Sequence, residues 1–283
     1  MHVLSPFPKL TTSFTQMPAM KDASDNDTTI NGRWTEEEKS SYQINVLELL
    51  AIKHAILAFL PFKTHIKHIR VMSDNQTAIS HINKQGGTKG DDMILNDIAV
   101  DIWTICFDHN THISAAHIPG KDNVVADVAS REFNDAAEWM ISSECFEKIV
   151  HAYGCPDIDL FATRINTQLP EYVSWHPDPY AKYIDAFTIS WSDLFIYLFP
   201  PFSLIWPVLS KMEEDRVKRS ILVVPNWPTQ SWYPRVMEIA VEQPMHLTQI
   251  LSSRKLSLPG TNKVHLLALK LKLLAVVCSW EMS

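Results

Sequence analysis

One carboxylate, Glu48, stands in the largely apolar run Ile44–Phe62 (INVLELLAIKHAILAFLPF), and that run limits what the surrounding chain can become. Apolar residues at 46, 47, 49, 50, 52, 56, 57 and 60 recur with helical period. They predict a helix over Gln43–Phe62 with a broad buried face, stopped by Pro61. A helix this apolar needs other elements to cover it, and the next segments supply them. His68–Ser73 (HIRVMS) reads as a short buried strand, and Asn75–Gln85 as a helix stopped by Gly86-Gly87. Asp91–Phe107 is a second amphipathic helix, His112–His117 (HISAAH) an alternating strand, and Asn123–Arg131 a short helix after the Pro119-Gly120 turn. Helix, strand, helix, helix, strand, helix is the order of an α/β domain.

Upstream, residues 1–33 are rich in Ser, Thr, Asp and Asn with little periodicity, and 1–19 read as a disordered lead-in. The first domain is expected over 20–132. A helix over Asp135–Tyr153 fills a linker at 133–154, and Gly154-Cys155-Pro156 marks a boundary. Residues 155–250 read as a second, smaller α/β module. Its strands are expected at Ile158–Ala162, Tyr197–Phe199 and Ile221–Val224, with a helix at Leu204–Asp215. Residues 251–283 read as a linker-like tail ending in an apolar, basic helix, His265–Val277.

Of the 283 residues, 46% are hydrophobic, which is enough for a substantial core. The formal net charge of −7 excludes a basic coat protein, so any nucleic acid is met without a global positive field. Gly is scarce, with 7 residues, and neither GxGxxG nor GxxxxGK[ST] occurs. Cys106, Cys145, Cys155 and Cys278 form no CxxC pair, so no disulfide partner and a reducing, intracellular location (cytoplasmic or nuclear) are expected. The N-terminus lacks a signal-peptide pattern. The apolar stretch Ile189–Pro207 is too broken by polar residues and prolines to span a bilayer, so no membrane partner is expected.

Four acids stand where chemistry could use them. Glu48 lies early in its apolar helix, Asp74 ends a strand (VMSDN), and Asp127 lies on the short helix NVVADVASR; Asp22 lies in KDAS upstream. Each has an ordinary reading. Glu48 could serve the helix dipole, Asp74 could cap the following helix, and Asp127 could be solvated. Together they have another: converging carboxylates repel unless a cation sits between them.

The combination of LEL-x-A, a strand ending in SDN, and HIPGKDNVVADVASR resembles the RNase H domain of retroelement reverse transcriptases. INVLELLA and GRWTEEE upstream are most similar to DIRS-type (tyrosine-recombinase) retrotransposons. The resemblance implies an RNase H-like mixed sheet with flanking helices over 20–132. It also implies Mg²⁺-dependent hydrolysis of the RNA strand of an RNA–DNA hybrid. Asp22, Glu48, Asp74 and Asp127 would hold two Mg²⁺ ions, with Mn²⁺ as a substitute. His117, ten residues before Asp127, would assist proton transfer. Its plainer reading is a strand-terminal His without a role. The family continues from its TDAS-like motif through a Gly-Trp-Gly hairpin, whereas here KDASDNDTTINGRW joins the two segments almost directly. The first hairpin is therefore expected to be incomplete, and a catalytically degenerate nucleic-acid-binding or structural relic is the alternative reading.

Downstream, PDIDLFATRIN, SW, DAF, FPPFS and ILVVP resemble the segment that follows RNase H in the same elements. More weakly, they resemble DNA adenine-N6 methyltransferases, whose motif is Asp/Asn-Pro-Pro-Tyr/Phe. That resemblance implies a methyltransferase-like module with duplex DNA as a second candidate partner. Phe199 stands where the amino-group acceptor belongs, however, and a phenyl ring accepts no such bond. Inactivity and no S-adenosylmethionine cofactor are therefore expected, with Asp157, Asp159 and Asp185 as pocket remnants or loop acids. With no Tyr-x-Asp-Asp motif before it and no recombinase Arg/His/Tyr set after it, the chain is expected to be a piece of a longer polyprotein.

Overall fold

The computed structural model describes residues 9–11, 20–21, 32–62, 66–87, 93–119, 139–247, 256–258 and 271–280. The chain divides into two units. One comprises Met1–Phe133 with Pro177–Tyr180, and the other Asn134–His176 with Ala181–Ser283.

The first unit is built on a mixed four-stranded sheet. Its strands are β1 (Lys9–Thr11), β2 (Met20–Lys21), β3 (His68–Ser73) and β4 (His112–His117), in the order β2-β1-β3-β4. β1 runs parallel to β3, with Leu10 opposite Val71, and antiparallel to β2, with Lys9 opposite Lys21. β3 and β4 are parallel from His68 opposite His112 to Ser73 opposite His117. A strand at Lys9–Thr11 corrects the reading of residues 1–19 as a lead-in without structure. Three residues are too few for alternation to register, and their pairing partner lies some sixty positions downstream.

Helix α1 (Glu36–Ser41) starts from a reciprocal capping box: Thr35 Oγ1 accepts from the Glu38 amide at 3.1 Å and the Glu38 carboxylate from the Thr35 amide at 2.7 Å. Helix α2 (Ile44–Phe59) buries Leu49, Ile52, Ala55, Ile56 and Phe59, and a 3₁₀ turn over Leu60–Phe62 ends it. Helices α3 (Gln76–Asn83) and α4 (Met93–Asp108) complete the layer, and Ile82, Leu95, Ile102 and Cys106 join α2 and the β3 and β4 residues Ile69, Val71 and Ile113 in one core. The expected stop after α3 is present. Gly86 adopts φ +80°, its amide donates to the His81 carbonyl at 2.9 Å, and a Cβ there would lie 2.8 Å from the Asn96 carbonyl oxygen of α4.

The second unit has a five-stranded sheet. Its strands in chain order are β6 (Ile158–Asp159), β9 (Phe195–Leu198), β10 (Arg219–Pro225), β11 (Met245–His246) and β13 (Leu273–Cys278), arranged β11-β13-β10-β9-β6. β6, β9 and β10 are parallel, while β13 is antiparallel to β10 and β11. Two small pairs flank this sheet: β5 (Met140–Ile141) with β12 (Leu256–Ser257), and β7 (Val173–Ser174) with β8 (Tyr183–Ile184). Helix α5 (Ser143–Tyr153) packs Cys145, Phe146 and Ile149 against Ile221, Val223, Ala275 and Val277 on one face. Helices α6 (Ile205–Glu214) and α7 (Tyr233–Glu238) pack Val208, Met212 and Val236 against Leu222, Val224, Leu274 and Val276 on the other.

Two expectations fail in this unit. Ser143–Tyr153, inside the expected linker, is helix α5 and belongs to the core. The tail helix expected at His265–Val277 gives way to strand β13 from Leu273, lying between β10 and β11. Its six residues are all buried, which is the pattern of a strand covered on both faces. Among the described residues no helix is long and apolar enough to cross a membrane. All four cysteines are free thiols, with only Cys155 exposed.

Candidate active site

β1, β3 and β4 are parallel, so their carboxyl ends share one rim of the first sheet. Open α/β sheets bind ligands at that kind of rim. Ser73 and His117 face each other there, and the Ile118 amide donates to the Ser73 carbonyl at 3.0 Å. Asp74 is the first residue beyond β3.

The helix cap that Asp74 could have provided is made by its neighbour. The Asn75 side-chain oxygen accepts from the Ala78 amide at 2.9 Å, and the Asn75 amide donates to Ser73 Oγ at 3.1 Å. Asp74 is thus not consumed in capping. Among the described residues its Oδ1, which is buried, has no hydrogen-bond partner. A carboxylate oxygen in that state is costly unless a cation or donor compensates it.

The Asn75 side chain also draws α2 to this rim. Its Nδ2 donates to Asn45 Oδ1 at 2.9 Å. Asn45 lies three residues before Glu48, so the two share one face of the helix. Glu48 is the fifth residue of α2, past the first turn, and is 3% exposed. Its reading as a first-turn acid serving the helix dipole does not survive that position.

Of the expected site residues Glu48, Asp74 and His117 are described: Glu48 lies one turn after Asn45 and Asp74 next to Asn75, the two residues that bond, and His117 is exposed at the end of β4. Asp22 and Asp127 lie outside the described residues. Met20–Lys21, which precedes Asp22, is not the strand beside β3. That place is taken by Lys9–Thr11, and Met20–Lys21 pairs on the far side of β1. Among the described residues no three His, Cys, Asp or Glu side chains are grouped as metal ligands. The donors present, two carboxylates with one buried oxygen unsatisfied, suit a hard cation such as Mg²⁺. Asn45 and Asn75 were not singled out from the sequence. An Asn following the strand-end Asp and preceding a helix is the capping signal that could have marked Asn75.

In the second unit the acids at the sheet end hold loops. The Asp157 carboxylate accepts from the Phe195 amide at 2.9 Å, and Asp185 caps a 3₁₀ turn through the Phe187 amide at 3.0 Å. Asp159 accepts from the Phe161 and Gln168 amides at 3.3 and 3.1 Å. Its burial nevertheless pushes the carboxyl up to about 7, the two backbone bonds only partly opposing the shift. Phe199 follows β9 half-buried, 6.5 Å between ring centroids from Phe202, which meets Trp227 edge-on at 5.5 Å.

No family model and no curated protein matches the chain. Similar solved structures include RNase H1 from the halophilic archaeon Halobacterium salinarum, at 18% identity, covering 44% of this chain and 96% of that one, with a TM-score of 0.32. LC11-RNase H1 in complex with an RNA/DNA hybrid is 17% identical, with 43% and 92% covered and a TM-score of 0.33. The N-terminal RNase H domain of a Mycobacterium tuberculosis protein is 14% identical, with 44% and 91% covered and a TM-score of 0.31.

Proposed function

We propose that the first unit is an RNase H-type nuclease that hydrolyses the RNA strand of an RNA–DNA hybrid and leaves a 3′-hydroxyl. The observation that carries this reading is the buried Asp74 oxygen, unsatisfied at the carboxyl end of a parallel strand while Asn75 does the capping. Glu48 and Asp74 would hold the metal, with Asp127 as the further ligand that the sequence motifs imply; Asp22 is left out of this reading, because Lys21 before it pairs on the far side of β1, level with Arg70 and not with the carboxyl end of β3. Bound Mg²⁺ ions supply activation of the attacking water and stabilisation of the leaving oxygen.

The chain's own residues do the rest. The Asn75–Asn45 bond fixes the α2 turn that presents Glu48. Ser73 Oγ and the α3 cap hold the backbone on either side of Asp74. His117, exposed and opposite Ser73 in the register, would pass a proton between the site and solvent. Recognition would rest on the shape and 2′-hydroxyls of the hybrid and not on its sequence.

The test is cleavage of an end-labelled hybrid in Mg²⁺. The parent chain should cut the RNA strand, and Asp74→Asn should lower the rate by at least the ~10²-fold that follows loss of one electrostatic contact at a reacting centre. Equal rates in parent and variant would remove Asp74 from the site. No cleavage by the folded parent would favour the binding or structural relic.

A further inference from the structure

The opposite ends of β3 and β4 carry a second constellation. His68 and His112 are register partners on adjacent parallel strands, so their side chains leave the same face of the sheet. Their ring centroids are 5.1 Å apart. A metal bound to a ring nitrogen at about 2.1 Å lies about 3.2 Å from that ring's centroid, and two imidazoles at a tetrahedral angle then have centroids about 5.2 Å apart. The observed spacing matches.

Both rings are held from outside the pair. His68 Nε2 lies 2.9 Å from Ser114 Oγ, a hydroxyl that can fix the ring's orientation as outer-shell partners of metal-bound His do. The Trp103 ring stands edge-on to His112 at 5.5 Å, and Trp103 is itself anchored by its Nε1–H to the Ile82 carbonyl at 2.8 Å. Five residue steps of strand, about 16 Å, separate this pair from Ser73 and His117.

We propose that His68 and His112 form a two-imidazole site for a divalent transition-metal cation of the Zn²⁺, Ni²⁺ and Cu²⁺ class, separate from the carboxylates at the other rim. Imidazole favours these ions, and Mg²⁺ does not compete for it. Arg70, two residues along β3, places an opposing positive charge near the site.

The experiment is calorimetric titration of the full chain with Zn²⁺ at pH 7.5, in excess Mg²⁺ and in a Cys155→Ser background that removes the exposed thiol. One site should appear. His112→Ala, which alters an exposed side chain, should weaken it at least about tenfold, no less than the loss of an outer-shell partner costs. His68→Ala should do the same, while Asp74→Asn and His151→Ala should leave it intact. Arg70→Gln should tighten binding, a gain that a misfolded variant cannot produce. An unchanged isotherm in His112→Ala, or no site in the parent at millimolar Zn²⁺, would overturn the proposal.

Discussion

Asp159 and Asp74 both stand at the carboxyl ends of parallel strands, and their surroundings treat them in opposite ways. Asp159 gives an oxygen to each of two amides, yet burial raises its carboxyl from 3.8 to about 7. A raised carboxyl contributes its stability in full below the unfolded pKa and loses it as pH rises through the folded one. Unfolding by urea should therefore show the second unit weakening between pH 4 and pH 7, by on the order of a few kcal/mol. Asp159→Asn, which cannot ionise, should flatten that profile while losing the longer of the two amide bonds. Asp74 lacks such partners on Oδ1. In metal-free protein Asp74→Asn should leave stability unchanged or raise it by less than about 1 kcal/mol, since it removes the charge of a carboxylate whose Oδ1 is buried without a partner among the described residues. Far-UV circular dichroism during thermal melting would read that change alongside the cleavage assay.

Elements meet at the candidate site through Asn75, which caps α3 and ties α3 to α2. Its two roles can be separated. Asn75→Asp keeps an acceptor for the Ala78 amide but has no donor for Asn45, so it should hold stability and lose cleavage. Asn75→Ala should lose both, at a capping cost of about 1 kcal/mol. Equal cleavage by the two variants and the parent would show that α2 is positioned without this bond. In the second unit, β13 is the element on which most depends. It joins β10 over six registered pairs and contributes to both cores. Val276→Pro removes a ladder donor and should cost about 3 kcal/mol or more. A chain ended at residue 270 should lose the second unit's cooperative unfolding transition and expose apolar surface to a hydrophobic dye. A free linker tail could be removed with neither effect.

At the scale of the molecule, each unit has its own sheet and core, and the two carry different chemistry at their strand ends. The first presents carboxylates. The second presents an aromatic group, Phe199, Phe202 and Trp227, while Asp157, Asp159 and Asp185 are engaged in loop hydrogen bonds. The phenyl ring of Phe199 cannot accept a hydrogen bond from an exocyclic amine. The whole chain, mixed with tritiated methyl donor and unmethylated duplex DNA, should give no incorporation above a no-protein control. Incorporation would mean that an acceptor other than position 199 serves the base.

The sequence by itself determined the elements whose signals are local. The period of the Ile44–Phe62 run, the strand runs HIRVMS and HISAAH, and the Gly86-Gly87 stop placed α2, β3, α3 and β4 to within three residues. The same signals singled out Glu48 and Asp74. Tertiary structure decided what depends on distant partners. Lys9–Thr11 is a strand because β3 offers it an edge. The Leu-Leu-Ala-Val-Val-Cys run is apolar at every position, so its period cannot separate helix from strand; β10, fifty residues earlier, makes it a strand buried on both faces. At the candidate site, residue identity could not say whether Asp74 or Asn75 caps α3. Once folded, Asn75 also reaches Asn45, and that bond leaves the acid free of the cap. Capping is a contest between neighbouring side chains for the same amides, and the contact that settles it spans thirty residues.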